Sequence, residues 1–137
     1  MIKLYAGPKG QGKTRKLIEL ANATLETTHG HIIFMDDDKR NMHQLQRDIR
    51  LVETSEFPLL TYREFISFVH GMLSQNGDIK EIFVDSLSTL VKDLDNENLV
   101  KVMAILVSIS EIHHVNFIIS VHCEVDQLPQ EIQKFVV

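Results

Sequence analysis

Gly7-Pro8-Lys9-Gly10-Gln11-Gly12-Lys13-Thr14 is the stretch on which the reading of this chain turns. It has the form G-x-x-x-x-G-K-[ST], with the apolar run Ile2 to Ala6 before it and a helical pattern after it. A strand, a glycine-rich loop and a helix in that order make a cradle for phosphate. Glycines let the loop wrap tightly, so that several backbone N–H groups converge on one small volume. The helix that follows aims its own first N–H groups, and the positive end of its dipole, at the same point. In such a cradle Gly7, Pro8, Lys9, Gly10, Gln11 and Gly12 surround the phosphates of a nucleotide. Lys13 reaches the β- and γ-phosphates, and the Thr14 hydroxyl enters the shell of a Mg²⁺ ion. Lys9 is a second cation that either adds attraction or is simply solvated.

Outward from the loop, apolar spacing divides the chain into alternating elements. Leu17, Ile18, Ala21 and Leu25 fall on one face of a helix from Thr14 to about residue 28, with Gly30 as a stop signal. His31 to Met35 reads as a strand that ends in Asp36-Asp37-Asp38. Met42, Leu45, Ile49 and Val52 have helical spacing, which predicts a second helix over Asn41 to Val52. A short strand is expected at Phe57 to Thr61 despite Pro58, and a helix from Tyr62 to Leu73. Glu81 to Val84 is an apolar strand closed by Asp85. Helical residues follow, interrupted near Asp93 to Asn96, and a long helix then runs from about Glu97 to His113. Its apolar set is too wide for one thin stripe, so it should pack against two neighbours. Asn116 to Val121 is the last clear strand, and Phe135-Val136-Val137 could add an edge.

Short apolar strands without period-two alternation, separated by helices, predict an α/β fold in one domain, residues 1–137. The expected architecture is a mostly parallel sheet of about five strands with helices on both faces. Right-handed crossovers put the carboxyl ends of all strands on one edge, where ligands bind. Gly7, Asp36 to Asp38, Asp85 and His122 each follow a strand end. Four separate pieces of sequence therefore converge on one site.

Composition sets the outer limits. A net charge of −5 argues against a general nucleic-acid binder, and the lone Cys123 cannot close an internal disulfide or build a multi-cysteine zinc site. The absence of a long apolar run argues against a membrane span. A first strand at Ile2 leaves no room for a signal peptide, so a reducing, cytoplasmic setting is the expectation.

Glu81-Ile82-Phe83-Val84-Asp85-Ser86 is an apolar strand tipped by a carboxylate. Asp85 there can hold Mg²⁺ opposite Thr14, or it can cap the following helix. The two motifs together resemble the Walker A and Walker B elements of the RecA-like branch of P-loop ATPases, which includes the recombinases and KaiC-type proteins. Gly7-Pro8-x-x-x-Gly12-Lys13-Thr14 is similar to that branch's G-P-x-x-x-G-K-T loop. Phe83-Val84-Asp85-Ser86-Leu87-Ser88-Thr89-Leu90 is similar to its V-V-D-S segment, and the strand Phe117 to His122 follows in the expected order. The resemblance implies a P-loop three-layer sandwich that binds ATP and Mg²⁺. It implies a base for the attacking water a few residues past the second strand, where this chain has Asp38 and the family often has glutamate. It also implies a γ-phosphate sensor at the end of the strand beside the Walker A strand, where this chain has His122. Against these stand plainer readings: Asp36 to Asp38 as a solvated turn, and His122 as a histidine that ends a strand.

The chain also departs from the pattern. No glutamate follows Asp85 directly, and no arginine lies beyond Arg63 to serve as a C-terminal cationic finger. The resemblance thus implies a minimal ATP-binding core, a slow Mg²⁺-dependent ATPase used as a nucleotide-controlled switch, whose site a protein partner or a second copy could complete. One alternative is a nucleoside or nucleotide kinase related to thymidine kinases, though their zinc-binding cysteines and acidic pair are missing here. Another is a DNA-associated ATPase, for which the only basic cluster is Lys39, Arg40, Arg47 and Arg50, diluted by Asp48. No N-K-x-D run is present to read guanine, so adenine is the default by exclusion.

Overall fold

The computed structural model describes residues 1–137. Five strands, β1 (Ile2–Gly7), β2 (His31–Asp36), β3 (Ile49–Glu53), β4 (Ile79–Val84) and β5 (Asn116–His122), form one sheet in the order β1-β5-β4-β2-β3. Every pairing is parallel. The helices are α1 (Lys13–Leu25), α2 (Tyr62–Gln75), α3 (Leu87–Leu90), α4 (Asn96–His113) and α5 (Gln130–Gln133). None is long and apolar enough to cross a membrane.

The near-continuous apolar runs of the strands have a direct cause. Successive side chains of a strand point to opposite faces, and here both faces are covered. Ile32, Phe34, Phe83 and Ile118 pack with Leu17, Ile18 and Ala21 of α1 on one face. Ile33, Met35, Ile82, Val84, Phe117 and Ile119 meet α2, α4 and α5 on the other. Phe34 and Phe83 are partners across β2 and β4, and their rings stack with centroids 6.1 Å apart. The long helix α4 packs against α2 and α5 as well as the sheet, which accounts for its wide apolar set. Thr61 and Asp95 cap α2 and α4 by accepting the backbone N–H of Glu64 and of Asn98.

Two expected elements are not where the spacing put them. Asn41 to Val52 is not a helix: Met42–Gln44 make one 3₁₀ turn, and Ile49–Glu53 form β3. The expected strand at Phe57 to Thr61 reduces to a single bridge between Leu59 and Val91. The reason is tertiary. The outer edge of β2 carries backbone groups that need partners, and Ile49 to Glu53 supply them from Ile32 to Asp36. Of the residues that suggested a helix face, Ile49 is buried in the cluster under α1 and Val52 packs against the cluster on the other side of the sheet, both from a strand, while Met42 is exposed. The chain end does lie along β1, where Leu4 N–H donates to the Phe135 carbonyl at 2.9 Å and Val137 N–H to the Leu4 carbonyl at 3.1 Å.

Helix α1 ends at Leu25, earlier than expected, and Gly30 has another role. It sits where β2 starts against the approach to β4, with His31 N–H donating to the Asp78 carbonyl at 2.7 Å. A Cβ on Gly30 would stand 2.5 Å from that carbonyl oxygen and 2.1 Å from Lys80 Cγ. Lysine can swing away, but the carbonyl cannot move without disturbing the ladder. Gly30→Ala is therefore expected to cost about 1–2 kcal/mol of unfolding free energy, as overpacking does. An unchanged denaturation midpoint would contradict this close approach.

Candidate functional site

The connection leaving β1 turns through Gly10 and Gly12, both at positive φ (92° and 79°), a region that side-chain-bearing residues resist. Gly12 is also the residue that starts α1. The loop closes around Lys13, which is 9% exposed and whose Nζ donates to the Gly7 carbonyl at 2.6 Å and the Pro8 carbonyl at 2.7 Å. Burial lowers the Lys13 pKa, and the carboxylates of Asp85 and Glu124 work against that shift.

Asp85 reaches the same place from the end of β4. Its carboxylate accepts the Thr14 hydroxyl at 2.9 and 3.1 Å, so residues 71 positions apart in the chain share one hydrogen bond. Beneath it lies Ser120 of β5, fully buried, whose hydroxyl donates to Asp85 Oδ1 at 3.2 Å and accepts the Ser86 N–H at 2.7 Å. Ser86 holds a left-handed conformation (φ 61°) and begins α3, and its hydroxyl shares a hydrogen bond with Thr89. Burial raises the Asp85 pKa, while the Thr14 and Ser120 hydrogen bonds pull it down. Asp85 does not cap α3 with its side chain; its hydrogen-bond donors are Thr14 and Ser120.

These groups face a cavity of about 470 Å³. Its walls include Lys9, Gly10, Gly12, Lys13 and Thr14 from the loop, Asp36, Asp37 and Arg40 from the exit of β2, and Asp85 and His122 from β4 and β5. Ile18 is the single apolar residue in its lining. With cations on two sides and the Asp36, Asp37 and Asp85 carboxylates also in the wall, the lining suits an anionic ligand that brings a cation with it.

The sequence-expected residues divide. Lys13, Thr14, Asp85 and His122 meet around the cavity, with Lys9, Gly10 and Gly12. Gly7 and Pro8 contribute through the carbonyls that hold Lys13. Gln11 lies outside the lining, its side-chain oxygen close over Gly7. His122 ends β5 directly beside β1, paired with Gly7. Its Nδ1 is buried with no hydrogen-bond partner, and burial first, then the charge of Lys13, lowers its pKa against the pull of Asp85, which favours the neutral ring. Asp38 is not part of the cavity wall. One of its carboxylate oxygens lies within 4.8 Å of those of Asp36 and Asp37, and the carboxylate is held by Arg40, which keeps its pKa below the usual range.

Asp36 occupies the buried position instead, at 4% exposure. Its carboxylate accepts the Asp37 N–H at 2.7 Å. Burial first, then the neighbouring Asp37 and the charge of Asp85, push its pKa up to about 7. Sequence reasoning grouped Asp36 with its two neighbours and missed Ser120 altogether. The available signal for Ser120 was a lone hydroxyl inside an apolar run that is buried on both faces.

Compared with known proteins, the chain matches no family model and no curated protein sequence.

Proposed function

We propose that this chain is a minimal P-loop protein of RecA-like type that binds ATP with Mg²⁺ at the carboxyl edge of its sheet. We propose further that it hydrolyses ATP slowly and acts as a nucleotide-controlled switch or accessory factor. The observation that carries this reading is the hydrogen bond from Thr14 to Asp85 beside the loop-wrapped Lys13. A hydroxyl and a carboxylate from two distant segments, the carboxylate also accepting from a buried serine, are hard oxygen ligands of the kind Mg²⁺ takes. They fit the ion, and the loop amides with Lys13 fit the phosphates it accompanies. When bound, Mg²⁺ would neutralise phosphate charge and orient the terminal group. This chain's own residues would bind and align the phosphates, with His122 offering a neutral ring to the terminal one.

A second reading has one observation in its favour. The cavity continues past the loop to Asn41 and Gln44, a polar wall that could seat a hydroxyl acceptor in place of water. A phosphorylated nucleoside among the products would decide for that kinase reading over hydrolysis.

Asp85→Asn keeps the shape and both Thr14 and Ser120 within reach, but removes the charge. It should weaken binding of magnesium-ATP by about tenfold or more, and metal-free ATP far less, because a charged ligand to the ion is lost. Titration calorimetry with and without EDTA reads the difference. Equal losses in the two conditions would leave Asp85 as a structural residue and remove the main support for the metal site.

A further inference from the structure

The cavity has four cationic side chains in its wall, Lys9, Lys13, Arg15 and Arg40. Three come from the glycine loop and the first turn of α1. Arg40 alone comes from the opposite wall, on the segment that leaves β2. Lys13 is committed to loop carbonyls, and Arg15 is paired along the helix with Glu19 at 3.3 Å. Arg40 is gripped by Asp38. Its Nε donates to Asp38 Oδ2 at 2.8 Å and Oδ1 at 3.1 Å, and its Nη2 to Oδ2 at 2.5 Å. Asp38 Oδ1 also accepts the backbone N–H of Arg40 at 2.9 Å, so one carboxylate sets both the side chain and the chain direction of the residue two places on.

Such a grip is firm in geometry and weak in energy. Both side chains face solvent, at 74% and 36% exposure, where an ion pair contributes little. The guanidinium fork matches a phosphate as well as a carboxylate, and a terminal phosphate brings more charge. We propose that Arg40 is this chain's own γ-phosphate clasp. Asp38 keeps it aside when the site is empty, and it transfers to the terminal phosphate of a bound triphosphate, drawing the segment from Asp37 to Gln44 over the cavity. This rests on the nucleotide reading above and adds its regulation. It supplies the arginine within the chain, so none need come from a partner, and it makes Asp38 the keeper of that arginine and not a base for water.

The test is calorimetric titration of the full chain with magnesium and either a non-hydrolysable ATP analogue or ADP. Wild type, Arg40→Ala, Arg40→Lys, Asp38→Asn and the double variant are compared, with thermal melts to show that each folds. Arg40→Ala should lower triphosphate affinity about tenfold, the size of one charge-assisted hydrogen bond, and barely change ADP. Arg40→Lys should recover part of the loss, because the charge returns without the fork. Asp38→Asn should raise triphosphate affinity severalfold, and the double variant should match Arg40→Ala. An unchanged ratio of triphosphate to ADP affinity in Arg40→Ala overturns the clasp and leaves the nucleotide reading standing. Lower triphosphate affinity in Asp38→Asn also overturns it. If the wild type binds neither nucleotide, both readings fail together.

Discussion

On the proposed nucleotide reading, Lys13→Ala is expected to abolish the thermal stabilisation that magnesium-ATP would give the wild-type protein. A ligand that binds only the folded state adds stability by mass action, ~2.7 kcal/mol at a hundredfold excess over Kd. In this site Lys13 is the one cation that the loop itself encloses, with its Nζ fixed by the Gly7 and Pro8 carbonyls. Removing it takes away a charge that would meet the phosphates of the proposed ligand at close range, in a place where water screens poorly. It also leaves two carbonyls without their donor. By exchanging its two carbonyl hydrogen bonds for charge-assisted ones to phosphate, Lys13 would contribute about a hundredfold in affinity, and that is the loss expected in the variant. The unliganded protein should change much less. Its core lies in the apolar layers on the two faces of the sheet, and the ammonium that is lost was itself held at a desolvation cost. Differential scanning fluorimetry over a range of ATP concentrations measures both quantities at once. Equal nucleotide-induced shifts in variant and wild type would defeat the assignment of Lys13.

The second large effect concerns Asp36 and pH. Its pKa in the fold is raised to about 7, chiefly by burial, against an ordinary value of 3.8. The folded state therefore holds this proton more tightly than the unfolded chain does. The stabilisation this brings is complete below pH 4 and is lost as pH rises toward 7. Asp85, also raised, contributes with the same sign. Asp36→Asn keeps an acceptor for the Asp37 N–H and has nothing to ionise. Without nucleotide it should be more stable than wild type at pH 8 by about 2–3 kcal/mol, less than the full shift implies because water reaches the cavity. The two proteins should converge near pH 4. Urea denaturation at several pH values tests this. Parallel stability curves for the two proteins would show that Asp36 does not titrate in this range. A carboxylate that destabilises the empty fold is one that a bound cation would relieve, so the same variant should also gain less from magnesium-ATP than wild type does.

Much of the site was legible because its chemistry is local. The spacing of Gly7, Gly10 and Gly12 before Lys13-Thr14 specifies a loop whatever surrounds it, since the glycines take up dihedrals that other residues resist. Asp85 was legible from the apolar strand it terminates. The helical reading of Asn41 to Val52 failed for the opposite reason. Met42, Leu45, Ile49 and Val52 have a spacing that suits a helix face, and a segment that short has no strong preference of its own. The open edge of β2 decided the matter by offering a full ladder to Ile49 to Glu53. Among the three aspartates, local sequence could not say which would turn inward. That depends on where β2 ends relative to its neighbours: Asp36 is still within the strand and buried, while Asp38 has left it and meets Arg40.

By itself, then, the chain's sequence determined the strand, glycine loop and helix at its start, the alternation of elements outside residues 41–61, the parallel class of the sheet, and the edge on which polar residues gather. These follow from backbone conformational limits and from burial on two faces, which act over a few residues at a time. Only the tertiary structure decided that Ser120 supports the Asp85 carboxylate facing Thr14, that Asp36 and not Asp38 is buried, and that Arg40 faces the loop across the cavity. Those outcomes depend on strand order, which sets β5 between β1 and β4 and β2 beyond them. Strand order is settled by how whole layers pack, and no short stretch of sequence encodes it.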